Sequence, residues 1–380
     1  MKIDRLVKEQ SVIVCCGAGG VGKTTVSAAL ALAAARNGRK ALVLTIDPAR
    51  RLAQALGIPP TGHEPSAIDH ELMRAAGIDV PEGGELHAWM LDPASVLESV
   101  VDRFAPSKEA AQQIRDTRLY NALKEVMAGL QEFTAAEALY DFKERNVYDL
   151  IVLDTPPSRN ALDFLDAPRR LARFLDERTL SVFVPQPNSK RSAIIRAASK
   201  VVTTAMSKAF TPEFVSELQQ FLSAFAALFG KMRIHAKGVR QLLQSKVASF
   251  IVITSTEEAA FEEALFFDRR VRELGLKVEG FVLNRTYLDS KDAPHPDELA
   301  SAEEDNGVKE ILSKLRPLAE TEIQRIASDE ALFEKLVSVS SSSGGDGAVA
   351  LPYLDETVED LEALAALSAR ILKLDRSQAC

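Results

Sequence analysis

Short runs of apolar residues alternate along the chain with longer stretches whose apolar residues recur at helical spacing. Residues 11–16 form an apolar, β-branched run, glycines follow, and residues 23–36 carry an alanine- and leucine-rich helical pattern. Asn37 and Gly38 are typical of a helix end, and residues 41–46 are again apolar throughout, as in a strand covered on both faces. These patterns predict a strand, a glycine-rich loop, a helix and a second strand, which together form one βαβ unit.

Four later apolar runs predict further buried strands. They are residues 150–153, 249–254, 278–283 and 348–351. Helical patterns lie between most of them, and alternation of buried strands with helices favours a mostly parallel sheet covered by helices. The predicted fold class is therefore α/β.

The strand signals nearly vanish in one central segment, where amphipathic helical spacing dominates. We predict an α/β domain from residues 1–161 and 247–380, and an inserted helical subdomain from residues 162–246. Two helices with broad apolar faces are expected in the insertion. Residues 339–347 are rich in serine and glycine, so they predict a surface loop or linker.

Composition and charge narrow the class of protein. The 380 residues are 46% hydrophobic and 26% charged, as in an ordinary globular protein. A net charge of -8 opposes attraction to polyanions, so we expect no nucleic-acid partner. The first ten residues lack an apolar signal core, and no stretch approaches the ~18 apolar residues that span a bilayer, so we expect a cytoplasmic protein. Three cysteines, two of them adjacent, do not suggest a disulfide framework.

The glycine-rich loop after the first predicted strand has the spacing G-x-x-x-x-G-K-[ST]. Glycines let consecutive backbone N–H groups turn toward phosphate oxygens, the helix N-terminus adds its positive dipole end, and the lysine supplies a point charge. The residues expected to bind the phosphates are Gly19, Gly20, Val21, Gly22, Lys23, Thr24 and Thr25. The alternative is a tight strand-to-helix turn without a ligand.

Carboxylates follow two of the predicted strands. Asp154 lies where P-loop enzymes need a carboxylate near the metal, so we expect Thr24 and Asp154 to hold Mg²⁺, the aspartate through water. Asp47 lies at the carboxyl edge of the sheet, and we expect it to act in catalysis with Lys23 by orienting the attacking water. Asp154 could instead cap a turn, and Asp47 could instead cap the next helix.

The residues after a late predicted strand indicate which nucleotide base the protein would bind. A guanine-binding protein is expected to show N-K-x-D, but the nearest candidate, which begins at Asn284, reads NRTY and lacks the aspartate. A planar amide can pair with an adenine edge, which favours ATP over GTP. A plain turn role for Asn284 is the alternative.

Four segments carry a resemblance to a known family: GAGGVGKTT, LTIDPARRLAQAL, LIVLDTPPSRNALDFL and FVLNR, in this order. Over nearly its whole length the chain resembles the ArsA-like family of arsenical-pump and tail-anchored-protein-targeting (guided entry) P-loop ATPases. The resemblance implies a P-loop NTPase fold with ATP or ADP and Mg²⁺ as cofactors. It also implies that Asp47 belongs to the first switch, that Asp154 starts the second, that Asn284 contacts adenine, and that Pro352 lies in a loop near the base.

Two departures from the family pattern affect these expectations. Ala18 occupies the position of an early P-loop lysine that reaches across a family dimer, which puts a symmetrical nucleotide-sandwich homodimer and rapid autonomous hydrolysis in doubt. No C-x-x-C follows Asn284, so no zinc is predicted.

The resemblance implies an ATP-hydrolysing switch that handles a hydrophobic client helix or a partner protein and works in a homo- or hetero-dimer. The apolar faces of the insertion could instead pack against each other. A basic, acid-free segment, residues 178–212, suggests either a membrane-associated partner or a solvated helix face. The alternative functions are a nucleotide-binding regulatory subunit whose partner supplies the missing lysine, and the motor of an anion pump. Metalloid pumping ranks low because the insertion has no clustered thiolates.

Overall fold

Eight strands of the described chain form a single sheet in the order β3-β4-β2-β5-β1-β6-β7-β8. Neighbouring strands are parallel except β3, which pairs antiparallel with β4 at one edge. The strands are β1 Val12–Gly17, β2 Lys40–Thr45, β3 Ser66–Ala67, β4 Glu85–Met90, β5 Leu150–Asp154, β6 Ala248–Ser255, β7 Val278–Thr286 and β8 Ala348–Pro352. The predicted α/β class with a mostly parallel sheet is confirmed.

The computed structural model describes residues 2–45, 51–58, 64–92, 98, 101–102, 105, 107–117, 120, 131–155, 201, 204, 211, 214–215, 218, 237–354, 358 and 360–377. Its helices are α1 Ile3–Glu9, α2 Lys23–Arg36, α3 Arg51–Leu56, α4 His70–Ala75, α5 Lys108–Arg115, α6 Gln131–Glu144, α7 Glu258–Glu273, α8 Pro296–Ala302, α9 Asn306–Ser342 and α10 Leu361–Ser377. A 3₁₀ turn covers Leu288–Ser290. Most of the predicted subdomain at residues 162–246 lies outside this description, so the domain division stays a prediction.

Helices cover both faces of the sheet, which explains why its central strands are continuously apolar. Alternate residues of β1 point to opposite layers, so Cys15 packs with α1, α2 and α10, whereas Cys16 packs with α5, α6, α7 and α9. Every residue of β1 and β5 is buried. The adjacent cysteines therefore lie on opposite sides of the sheet, and both are free thiols.

Helix α2 is buried on nearly all sides, because its many alanines allow close packing against the sheet and α10. It occupies the residues that the sequence pattern predicts. Asn37 follows it and donates from Nδ2 to the carbonyl of Ala33 at 2.8 Å, and Gly38 then adopts a φ of 78°. Glycine adopts this left-handed conformation readily, and such a residue commonly follows the end of an α-helix.

The long helix α9 corrects one prediction. Residues 339–347 were expected to form a surface loop or linker, but α9 continues to Ser342. Ser340 is fully buried, and its hydroxyl accepts a hydrogen bond from the N–H of Gly347 at 3.0 Å. Ser340 therefore packs at the helix end that leads into β8, whereas Ser341, Ser342 and Ser343 are exposed. The residues after Ser342 form the turn. Composition alone does not reveal this tertiary contact.

Candidate functional site

The loop between β1 and α2 lies at the carboxyl edge of the sheet, beside the central strands. Gly20 and Gly22 have φ values of 80° and 90°, which side chains disfavour. At Gly17 a Cβ atom would overlap the carbonyl oxygen of Ile253 on β6. The three glycines are therefore required by backbone conformation and by close approach of a neighbouring strand. Ligands of open α/β sheets bind at this edge.

Lys23 is the first residue of α2 and is largely buried, at 8% exposure. Its ammonium donates to the carbonyl oxygen of Ala18 at 2.7 Å. The Ala18 side chain is itself buried and packs in the core cluster that contains α2. The lysine thus folds back over the loop and holds its charge inside the curve that the glycines form.

A fully buried carboxylate lies next to this loop. Asp154 ends β5, and its Oδ2 accepts hydrogen bonds from Thr24 Oγ1 at 2.7 Å and from Thr45 Oγ1 at 2.8 Å. The end of β5, the end of β2 and the first turn of α2 thus meet at this one oxygen. A hydroxyl beside a carboxylate is also an oxygen pair suited to Mg²⁺, which keeps several water and phosphate ligands of its own. The residues present therefore fit a magnesium site.

Thr45 is a site residue that the sequence reasoning missed. It is the last residue of β2 and lies opposite Asp154 in the parallel pairing of β2 with β5. A related contact fixes the next residue, because Thr155 donates from its hydroxyl to the carbonyl of Cys15 at 2.8 Å. The end of β5 is thus held from both neighbouring strands. The only signal in the sequence is a hydroxyl residue at the end of a buried run.

Asn284 lies near the carboxyl end of β7 and reaches back to the glycine loop. Its Nδ2 donates to the carbonyl of Val21 at 2.9 Å, and a Cβ atom on Gly22 would collide with the same nitrogen. Arg285, which follows, is exposed and has a φ of 63°. The predicted adenine residue is therefore brought to the loop, where its amide also ties β7 to the start of α2.

The segment after Asn284 contacts β8 and α9. The backbone N–H of Tyr287 donates to Asp329 Oδ2 of α9 at 2.8 Å. The ring of Tyr287 stacks on the ring of Tyr353, with the two centroids 5.6 Å apart. Burial raises the pKa of Asp329. Pro352, the last residue of β8, is buried opposite Thr286. Helix α9 is thereby attached to the same edge of the sheet as the glycine loop.

The predicted catalytic residue Asp47 lies outside the described residues. Burial raises the pKa of Cys15 and raises that of Cys16 to about 12, so both thiols stay protonated at neutral pH. The described ranges contain no group of three or more His, Cys, Asp or Glu side chains placed to hold a metal ion. In those same ranges no helix combines the length and the apolar character needed to cross a membrane.

Comparison with known proteins gives a consistent result. The family model described as anion-transporting ATPase matches residues 10–341. A "Putative arsenical pump-driving ATPase" from Halobacterium salinarum is 28% identical over 220 residues, which are 57% of this chain and 33% of that relative. An Aquifex aeolicus protein named "Putative arsenical pump-driving ATPase 1" is 20% identical over 352 residues, 88% of this chain and 79% of the relative. ATPase BagA of Mycobacterium tuberculosis is 25% identical over 285 residues, 73% of this chain and 66% of the relative. The chain thus matches only about a third of the halobacterial protein's length.

Proposed function

Because the chain belongs to the anion-transporting ATPase family, we propose that it is an ATP-hydrolysing molecular switch that handles a hydrophobic client or a partner protein. The proposal rests on the group of residues that lies at the carboxyl edge of the sheet. A glycine loop, a buried lysine and a buried carboxylate with a threonine hydroxyl lie together there. That set can neutralise a triphosphate and hold its metal.

The phosphates are assigned to the loop and the first turn of α2, residues 19–25. The backbone N–H groups of the loop and the start of the helix donate to phosphate oxygens. Lys23 exchanges its 2.7 Å contact with the Ala18 carbonyl for a phosphate oxygen. A charged partner is a stronger acceptor than a carbonyl, so this exchange favours binding of an anion.

Bound magnesium would supply positive charge that offsets the charge of the phosphates during the reaction. Thr24, through its hydroxyl oxygen, and Asp154, through water, would hold it. Thr45 also donates to Asp154 Oδ2, so it would keep the carboxylate in place if the Thr24 hydroxyl turned toward the metal. Two donors, rather than Thr24 alone, therefore support the orientation of the carboxylate.

The remaining roles are orientation of the attacking water and recognition of the adenine base. Asp47, which follows β2 by two residues, orients the attacking water, as its place in the family motif implies. Asn284 presents its amide to adenine while remaining close to the loop, and Pro352 lies beside the base. The proximity of Asn284 to Val21 supports this arrangement, because one residue then links the base end of the site with its phosphate end.

Two other functions remain candidates. A regulatory nucleotide-binding subunit is supported by Ala18, which supplies no cation across a dimer. A motor subunit of an anion pump is supported by the family, which is described as anion-transporting ATPase, and by two relatives that are named as arsenical pump-driving ATPases. A thiolate-bound metalloid is disfavoured, because Cys15 and Cys16 lie on opposite faces of the sheet with raised pKa values.

The test is Mg²⁺-dependent ATP hydrolysis by the purified protein, compared with Lys23→Ala and Asp47→Asn variants. Loss of one transition-state contact should lower the rate at least about 100-fold. Lys8→Ala is the matched control, because that lysine is exposed on α1 and pairs only with Asp4 in the described structure. If the wild-type protein binds ATP but hydrolyses it no faster than the Lys23→Ala variant, the proposal of an ATP-hydrolysing switch is contradicted. The regulatory nucleotide-binding subunit is then favoured.

Client handling needs a separate measurement. Purified protein is mixed with a fluorescent peptide of one apolar helix, and binding is followed by anisotropy with ATP, with ADP and without nucleotide. A switch binds the peptide with affinities that differ between nucleotide states, and Lys23→Ala removes the difference. Equal affinity in all states, or no binding in any of them, contradicts this part of the proposal.

A further inference from the structure

Strand β7 changes its pairing with β8 where it reaches the glycine loop. Leu283 pairs with Ala350 of β8, whereas Thr286 pairs with Pro352. Three steps along β7 therefore match two steps along β8, so β7 carries a bulge with one extra residue. Bulges are common beside active sites, where they redirect a side chain. This bulge contains Arg285, the residue after the predicted adenine contact.

Arg285 has a left-handed backbone conformation, with a φ of 63°. Among the described residues other than glycine, only Asn146 also has a positive φ. Arginine adopts this conformation rarely, because the Cβ atom crowds the following carbonyl oxygen. Glycine would avoid the crowding. The side chain of Arg285 therefore costs stability at a position where a glycine would not.

The backbone around Arg285 is held on both sides. Asn284 is bonded to the glycine loop through its side-chain amide. The carbonyl of Thr286 accepts from the N–H of Tyr353 at 2.8 Å, and the N–H of Tyr287 donates to α9. Strained residues that the surrounding structure fixes in this way cluster at active sites and ligand clamps. The observed strain therefore points to a ligand for the Arg285 side chain.

The guanidinium group of Arg285 is accessible to such a ligand. The residue is exposed, and within the described part of the chain its side chain takes part in neither a hydrogen bond nor an ion pair. A guanidinium offers five N–H donors and a flat, weakly hydrated face that stacks on aromatic rings. It can therefore bind either a phosphate group or the face of a nucleotide base.

The position of β7 in the sheet decides between these two ligands. The glycine loop follows β1, and β6 lies between β1 and β7. Neighbouring strands are about 4.8 Å apart, so β7 ends roughly 10 Å to the side of β1. A nucleotide whose phosphates lie in the loop and whose base reaches Asn284 therefore presents its base, rather than its terminal phosphate, to Arg285.

We infer that Arg285 binds the face of the nucleotide base through the plane of its guanidinium group. In the proposed function Asn284 contacts the edge of the base, and an edge contact leaves the two faces of the ring free. A stacked guanidinium adds affinity for any base, so it does not by itself select adenine. A purine offers a larger face than a pyrimidine, so the contact favours adenine nucleotides over cytosine nucleotides. The inference rests on the nucleotide site of the proposed function.

The test is isothermal titration calorimetry of the full chain with ADP, CDP and inorganic pyrophosphate. These ligands have no γ-phosphate, so the proposed hydrolysis does not disturb the measurement. Arg285→Gly removes the side chain and relieves the backbone strain. We expect the affinity for ADP to fall at least about fivefold, the affinity for CDP to fall less, and the affinity for pyrophosphate to change less than about twofold. In urea unfolding the same variant should be no less stable than the wild-type protein, because glycine accepts the positive φ.

A second variant and two controls accompany the measurement. Arg285→Asn, whose side chain tolerates the left-handed conformation, should show the same selective loss of ADP affinity. Asn146→Gly is the matched backbone control, because Asn146 has a φ of 49° but precedes β5 and lies at the opposite edge of the sheet from the glycine loop. Arg269→Ala removes an exposed arginine of α7 and controls for the loss of one positive charge. Both controls should leave all three affinities unchanged.

Three outcomes would overturn the inference, and they separate it from the proposed function. If both Arg285 variants bind ADP as tightly as the wild-type protein, Arg285 does not contact the nucleotide, whereas the nucleotide site itself stands. If ADP and pyrophosphate lose affinity equally, the guanidinium binds the phosphates and not the base. If the wild-type protein binds none of the three ligands, the proposed function fails and the inference fails with it.

Discussion

Replacement of Thr45 by valine removes one hydrogen bond from the buried carboxylate of Asp154. Thr45 is 1% exposed and Asp154 is fully buried, and their oxygens are 2.8 Å apart. Valine has nearly the same shape as threonine but no hydroxyl, so the substitution leaves packing nearly unchanged and removes the donor. We expect a lower free energy of unfolding and a less firmly held Asp154 side chain.

The magnitude follows from the partners. A hydrogen bond to a charged group contributes about 1.5–3 kcal/mol to stability. Asp154 keeps the donor from Thr24, so the lower half of that range, about 1.5–2 kcal/mol, is expected. A double-mutant cycle that combines Thr45→Val with Asp154→Ala isolates this interaction, because neither residue can make it in the double variant.

The assay is equilibrium unfolding in urea followed by tryptophan fluorescence. Trp89 is the only tryptophan of the sequence, and it lies on β4 opposite Leu44, the neighbour of Thr45. Thr45→Ser, which keeps the hydroxyl, should show most of the wild-type coupling. A coupling energy below about 0.5 kcal/mol would refute the reasoning, since contacts that act independently are additive to that precision.

Three further predictions concern other parts of the molecule. Gly22→Ala introduces a Cβ atom that collides with Asn284 and a φ of 90° that alanine disfavours, so ATP affinity measured by calorimetry should fall at least about tenfold. Burial raises the pKa of Asp329, so the folded state binds its proton more tightly than the unfolded state and the free energy of unfolding falls as pH rises from about 4 through that raised value. Asp329→Asn keeps an acceptor for the Tyr287 N–H without titrating, and should gain stability relative to wild type over that pH interval in urea titrations. Cys16, whose pKa is raised to about 12, should react with a thiol reagent at pH 8 only at the rate of unfolding, and rapid labelling of the native protein would contradict its burial.

The sheet could be predicted from the sequence because its central strands are apolar on both faces. The run at residues 150–153 became β5, and the helix pattern at residues 23–36 became α2. Strand β4 was not predicted, since Glu85 and His87 interrupt its apolar pattern at the amino end. The family resemblance stated from four motifs is confirmed by the match over residues 10–341.

Only those parts of the candidate site that belong to a sequence motif could be predicted from the sequence. The glycine loop, Lys23 and Thr24 carry a fixed spacing, whereas the contact of Thr45 with Asp154 depends on the register between β2 and β5. Thr45 and Asp154 are 109 positions apart in the sequence, so no local pattern records that they meet. The hydrogen bond between Tyr287 and Asp329 joins residues 42 positions apart and is hidden for the same reason.

The hydrogen bond between Tyr287 and Asp329 has a mechanical consequence. Asp329 accepts from the backbone N–H of Tyr287, which lies just beyond Asn284. Val308 lies 21 residues before Asp329 on α9, about 32 Å away along the helix axis. A tilt of about 10° around Asp329 would therefore displace Val308 by about 5 Å. A shift of the Tyr287 amide too small to alter the sheet edge would thus produce a larger movement at the far end of α9.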